Sequence, residues 1–131
     1  MAAESYPGDL RYHPEHDWAR IDGDEATFGI TWFAQDALGE LVHYEAPEAG
    51  TTVAKDETYA EVESVKAVSD VIAPLSGEIL EVNAAVADAP ETVNADPYGD
   101  GWLVRVRLSD PGEADLLMDA EAYRRHLAEQ G

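Results

Sequence analysis

Lys66 is the residue of this sequence whose type and surroundings are best suited to chemistry. It is one of only two lysines among 131 residues, and it lies in the segment 63–67 (ESVKA). Because 28 Asp and Glu stand against 8 Lys and Arg, a carboxylate would solvate this position more simply. The exception indicates a presented primary amine, which can serve as a nucleophile or as the anchor of a covalent group.

Two apolar runs flank Lys66 and predict how it is presented. Residues 58–62 and 68–72 are rich in β-branched or aromatic side chains, which favour strands. Lys66 then lies at the tip of a β-hairpin. From these residues alone, a plain solvated turn lysine stays open as the alternative, and it is the only interpretation that fits Lys55.

His16 and Asp17 carry a weaker chemical pattern. Their adjacency could indicate an acid/base pair, but neighbouring strand residues point to opposite faces of a sheet. A small hydrolase built on them and on the acidic residues is an alternative function that lacks a convincing nucleophile. His13 and His16 likewise lack the third and fourth ligands of a metal site. The absence of cysteine excludes thiolate ligands and a cysteine nucleophile.

The elements that must position these residues are predominantly β. A short helix is predicted over 32–38, ended by Gly39. Residues 84–101 are predicted to be mostly irregular, with one helical turn near 91–94. Apolar runs between turn signals predict strands at 10–12, 18–21, 25–31, 40–44, 51–54, 58–62, 68–72, 78–82 and 102–108.

The run 102–108 shows the clearest strand alternation in the chain. One side of it is predicted to face the core and the other to face solvent. The core side consists of Trp102, Val104, Val106 and Leu108, and the solvent side of Leu103, Arg105 and Arg107.

The segment 110–129 is predicted to be helical. Asp110 is placed as an N-cap and Pro111 as the first helical residue, and Asp119 is a second candidate N-cap that would divide the segment. Helical spacing predicts one apolar stripe formed by Leu116, Ala120, Tyr123 and Leu127. The chain 1–131 is thus predicted as one domain, a small β sandwich or flattened barrel with a helical tail and a flexible lead at 1–8.

The formal charge of −20 limits the classes of partner. No basic patch is present to neutralise the phosphates of nucleic acid, and anionic membranes are disfavoured for the same reason. The sequence shows neither a signal-peptide pattern nor an apolar run that could span a bilayer, so a cytoplasmic protein is expected. The acidity fits adaptation to a salty cytosol or simply an acidic host proteome, and the sequence leaves both open.

The segment 63–70 (ESVKAVSD) resembles the lipoyl-attachment site of the H proteins of the glycine cleavage system. Biotin carriers usually flank their lysine with methionines, which this segment lacks. The resemblance extends over residues 10–127, because further segments stand in the order and spacing of the family. These are 16–18 (HDW), 29–31 (GIT), 34–40 (AQDALGE), 74–78 (PLSGE), 81–83 (EVN), 94–98 (NADPY) and 101–103 (GWL).

The resemblance implies a flattened barrel-sandwich hybrid of two antiparallel sheets, with lipoic acid joined to Lys66 as a swinging arm. It implies a non-catalytic carrier, monomeric when free, that receives the aminomethyl group of glycine from a pyridoxal-phosphate glycine decarboxylase (P protein). The group passes to a tetrahydrofolate-dependent aminomethyltransferase (T protein), and dihydrolipoyl dehydrogenase (L protein) reoxidises the dithiol. A lipoate-attaching enzyme is a further implied partner.

The family pattern also implies where the loaded arm docks. Its protonated amine calls for carboxylates, and the pattern nominates Glu15, Asp17 and Asp70. Some relatives place a histidine at the position of Ala37, which this chain does not. A related alternative is an H-like protein that donates or relays lipoyl groups for 2-oxoacid dehydrogenase complexes.

Overall fold

The computed structural model describes residues 3–130 and confirms a mainly β fold. The strands are β1 (Arg11–His13), β2 (Asp17–Asp22), β3 (Glu25–Ile30), β4 (Leu41–Glu45), β5 (Thr52–Val53), β6 (Thr58–Ser64), β7 (Val68–Ile72), β8 (Gly77–Val82) and β9 (Val104–Leu108). The helices are α1 (Trp32–Leu38), α2 (Ala84–Asp88), α3 (Thr92–Ala95), a 3₁₀ helix (Pro111–Leu116) and α4 (Ala120–Gln130).

The strands form the two antiparallel sheets that were predicted. The larger has the order β1-β2-β3-β9-β8-β5, and the smaller has the order β4-β6-β7. Both are open, and Tyr59 and Val82 pack against the core clusters of both sheets. None of the helices among the described residues combines the length and the apolarity that a bilayer crossing requires.

A third apolar cluster attaches the two ends of the chain to the larger sheet. Trp18 and Tyr123 are fully buried there, and the rings of Tyr12 and Tyr123 stack with centroids 4.8 Å apart. Tyr6, from the predicted lead, is also buried, with its ring edge-on to Tyr123. Met1 and Ala2 lie outside the described residues. Helix α4 is thereby held against strands β1 and β2.

Helix α1 begins and ends where the sequence predicts. The Thr31 hydroxyl oxygen accepts a hydrogen bond from the Ala34 N–H as an N-cap, and Gly39 ends the helix with φ of 85°. Along the chain, α1 lies between β3 of the larger sheet and β4 of the smaller sheet, which starts at Leu41. It therefore connects the region near the chain ends to the Lys66 region.

Three details of the predicted elements are wrong. Helix α2 occupies part of a segment that was predicted to be irregular, because Asn83 caps it and Val86 anchors it in the core. Leu103 was assigned to solvent, but it is fully buried because β9 begins only at Val104. Leu116 was placed on the apolar stripe, but it is 72% exposed, since the helical segment divides before Asp119 and each half presents its own face.

Candidate functional site

The predicted hairpin is present, and Lys66 lies in its turn. Strands β6 and β7 pair antiparallel on either side of residues 65–67. Ser64 closes this turn: its backbone N–H donates to the Ala67 carbonyl at 2.8 Å. The Ser64 hydroxyl oxygen accepts from the backbone N–H groups of Lys66 (3.3 Å) and Ala67 (3.2 Å). The amine is thus carried by a turn with a defined backbone conformation.

Ser64 shapes the Lys66 turn, and this role was not predicted from the sequence. The structure shows it buried, with the hydroxyl turned into the loop. The signal was present, because a serine two residues before a turn position commonly bonds to the backbone of that turn.

The Lys66 side chain is exposed and has no ion-pair partner in the part of the chain that the structure describes, unlike that of Lys55. Lys55 is 16% exposed and its ammonium lies 2.9 Å from a carboxylate oxygen of Asp56. Within residues 3–130 no carboxylate forms an ion pair with Lys66, whose neighbour Val65 is 82% exposed. A Cβ built on Gly39 would lie 3.7 Å from Cε of Lys66, so the lysine stem passes the end of α1. Such an amine is accessible for acylation.

An acidic cleft of about 400 Å³ lies along β7, the strand that follows the Lys66 turn. Glu15, Asp56 and Asp70 bring three carboxylates to it from separate parts of the chain. The remaining lining residues are His16, Ser69 and Ile72. A cleft with this lining favours a cationic group.

One carboxylate of the cleft is held by a buried histidine. Nε2 of His13 lies 2.6 Å from Oδ1 of Asp56, and the Glu15 N–H donates to Nδ1 of His13 at 3.0 Å. Because Nδ1 accepts, the proton of neutral His13 is on Nε2 and points at Asp56. This hydrogen bond, followed by that from Lys55, lowers the pKa of Asp56 below its usual value. Asp56 therefore stays ionised.

The three carboxylates nominated for docking are not equivalent. Glu15 and Asp70 line the cleft together, whereas Asp17 is 2% exposed and is not part of its surface. Burial raises the pKa of Asp17 well above its usual value, although the Ile72 backbone amide favours the ionised form. Its Oδ2 has no hydrogen-bond partner among the described residues. A docking role for any of the three stays a prediction.

Asp56 and His16 reach the cleft without having been nominated. Asp56 is separated from His13 by 43 positions in the sequence, so no local motif joins them. His16 was considered only as an acid/base or metal residue. Their place in the cleft follows from the packing of the 13–16 turn against the loop before β6 and against β7.

Comparison with known proteins matches nearly the whole chain to one family. The family model of the glycine cleavage H-protein matches residues 10–130. The H protein of the glycine cleavage system of Halorhodospira halophila is 53% identical over 126 residues, which are 95% of this chain and 97% of that protein. That of Rubrobacter xylanophilus is 54% identical over 124 residues, covering 95% and 96%.

A solved structure shows the same fold. The crystal structure of a glycine cleavage system H protein from Mycobacterium marinum superposes with a TM-score of 0.86 at 45% identity. The match covers 93% of this chain and 98% of that one. Since the family model and close relatives span almost the entire sequence, this chain belongs to the glycine cleavage H-protein family.

Proposed function

We propose that this chain is the lipoyl carrier of a glycine cleavage system, with lipoic acid joined through an amide to Nζ of Lys66. The observation that carries the proposal is the exposed, unpaired amine of Lys66 on a closed hairpin turn, in a member of this family. The proposal uses the only lysine that has no ion-pair partner among the described residues.

The surroundings of Lys66 suit attachment. Amide formation needs the neutral amine as the nucleophile, and the exposed side chain of Lys66 leaves that amine open to an attaching enzyme. The attaching enzyme must therefore take a proton from Nζ as Nζ attacks an activated carboxyl carbon of lipoate, and the activating group leaves as the amide bond forms. Loss of the ammonium changes the formal charge from −20 to −21.

The cleft suits the loaded state of the arm. When attached to Lys66, the lipoyl group would supply a disulfide whose S–S bond can open, so that one sulfur carries the aminomethyl group with its protonated amine and the other becomes a thiol. Glu15, Asp56 and Asp70 place negative charge where such a cation can lie. Holding it in the cleft limits the access of water to the labile carbon.

The proposed partners are the P, T and L proteins of the system, together with a lipoate-attaching enzyme. In this proposal the chain is a carrier subunit, and the chemical steps belong to its partners. Reconstitution separates this role from lipoyl relay to 2-oxoacid dehydrogenases: lipoylated protein must support glycine decarboxylation with the cognate P protein. A monomeric state and a cytoplasmic location stay predictions from the sequence.

The attachment site is tested by Lys66→Arg with Lys55→Arg as the matched control. Both variants keep the charge of the side chain, so stability should change little. We expect intact-mass measurement after lipoate ligation to show one added lipoyl group on the wild type and on Lys55→Arg, and none on Lys66→Arg. Lipoylation of the Lys66→Arg protein would overturn the assignment.

A further inference from the structure

His16 is fixed on the wall of the acidic cleft by an unusual backbone conformation. Its φ is 75°, a left-handed value that is uncommon for a residue other than glycine. Its backbone N–H donates to the His13 carbonyl at 2.9 Å, and its carbonyl accepts from the Thr31 N–H at 3.0 Å. These two bonds hold the turn and orient the imidazole.

A chain of neutral hydroxyls supports the His16 ring from behind. Nδ1 lies 2.7 Å from the Tyr123 hydroxyl, which lies 2.9 Å from the Thr31 hydroxyl. Each hydroxyl can donate or accept, so the chain can run in either direction. When Nδ1 carries the ring proton and donates to Tyr123, Nε2 has a free lone pair. Nε2 has no hydrogen-bond partner among residues 3–130.

The ring is kept neutral by its packing. Partial burial, followed by the nearby imidazole of His126, lowers the pKa of His16, while Glu15 acts in the opposite direction. The His16 ring packs against Phe33 at 4.6 Å between centroids and lies 6.1 Å from His126. The other titratable groups that face it are Tyr123 behind it, His13 in the same turn, and Asp56 and Asp70 across the cleft.

We infer that Nε2 of His16 accepts a hydrogen bond from the ammonium of the aminomethyl-loaded arm. Glu15, Asp56 and Asp70 supply charge to the cleft, and His16 supplies a directed acceptor at a fixed place on its wall. Tyr123 is a positioning residue, because its hydroxyl accepts from the Nδ1–H in the tautomer that leaves Nε2 free. The inference rests on the proposed function and names a residue that contacts the loaded arm.

The first test observes His16 in the intact protein. ¹⁵N-labelled, lipoylated carrier is compared with and without the aminomethyl group, and the ring signals of its histidines are followed against pH. A cation bonded to Nε2 opposes protonation of the ring. We expect loading to lower the titration midpoint of His16 by about one pH unit, a tenfold weaker binding of the proton. Exposed His43 on β4 is the internal reference and should not change.

The outcome separates the inference from the proposed function. The mass of each sample shows first whether Lys66 is lipoylated and then whether the arm is loaded. An unchanged His16 titration in a carrier of verified loaded mass would overturn the inference and leave the carrier function standing. A sample that never acquires the lipoyl group would overturn the carrier function itself.

The second test measures how well the loaded arm is protected. His16→Asn is chosen because asparagine tolerates positive φ, and His43→Asn is its control. We expect the isolated loaded carrier to release ammonia about tenfold faster in His16→Asn than in the wild type or in His43→Asn. Tyr123→Phe, which keeps the ring packed, should be intermediate. Equal release rates in His16→Asn and His43→Asn would contradict the inference. If His16→Asn does not fold, the histidine titration of the intact carrier decides the question.

Discussion

Asp17 is a buried carboxyl group that costs the folded state stability at neutral pH. Because burial raises its pKa, the folded protein keeps this proton above pH 3.8, where the unfolded chain releases it. The folded state then binds more protons than the unfolded state, so its stability falls as pH rises. The slope is about 1.4 kcal/mol per pH unit until the pKa in the folded state is reached.

We therefore predict that Asp17→Asn removes a pH-dependent loss of stability. Urea unfolding of the wild type and of the variant at pH 5, 6 and 7 should show a stability difference that shifts in favour of the variant by up to about 1.4 kcal/mol per pH unit. Asp22→Asn, at the exposed end of the same strand, is the control for loss of a carboxyl group. A difference that stays constant over this range would show that Asp17 is ionised in the folded protein.

Among individual residues, the sequence predicts the position of Lys66 on a hairpin better than it predicts the residues that line the cleft. Lys66 could be identified because its type is rare and its flanking runs are local. The pairing of His13 with Asp56 and of His16 with Tyr123 could not, since these contacts span 43 and 107 positions. Asp17 was nominated for its chemistry, but its carboxyl group is buried beside the backbone amide of Ile72 in β7, a contact that no local pattern reports.

Among the elements, the outer face of the three-stranded sheet carries an unfavourable row of charge. Glu61 of β6 lies directly across from Glu45 of β4 and from Asp70 of β7, and all three side chains are exposed. Like charges in directly opposed cross-strand positions are destabilising. The central carboxylate of the row should therefore cost stability in the free protein.

We predict that Glu61→Gln stabilises the fold by about 0.5 kcal/mol at low salt. The gain should disappear in 1 M salt, where the Debye length falls to about 3 Å. Thermal unfolding at the two salt concentrations measures it. Glu129→Gln, at the exposed end of α4, removes the same charge without an opposed neighbour. An equal effect of both substitutions would assign the gain to net charge and contradict the role of the row.

The elements themselves were largely predictable because most are bounded by local signals. The Thr31 cap and Gly39 define α1, and turn residues separate the strands. The exceptions depend on tertiary packing. The alternation of the run 102–108 assigns Leu103 to the solvent side, yet it is fully buried because it precedes the start of β9 at Val104. Helix α2 is only five residues long, too short for a helical period to be evident.

For the whole molecule, the dominant quantity is the charge of −20. Ion pairs relieve only part of it: Arg105 bridges Glu25 and Glu81, and Arg125 pairs with Glu121 within α4. The remaining self-repulsion favours expanded states and is screened by salt. Stability should therefore increase with ionic strength.

We predict that the melting temperature rises steadily between low salt and 2 M KCl. The wild-type protein in KCl is compared with samples at equal osmolality in sucrose, which stabilises folded proteins without screening charge. A larger increase in KCl than in sucrose supports adaptation of the surface to salt. No gain in stability in molar KCl would refute adaptation to salt. The acidity would then reflect only an acidic host proteome.

The hydrogen bond between Tyr123 and His16 has a consequence for molecules that a protease has cut. Lys66 and its turn are held by β4, β6 and β7, whereas Tyr123 belongs to the cluster that fixes α4. A protease that cuts within α4 would remove the support of His16 and leave the hairpin in place. If the proposed function holds, such clipped copies would keep Lys66 for attachment but would hold the loaded arm without the support of Tyr123.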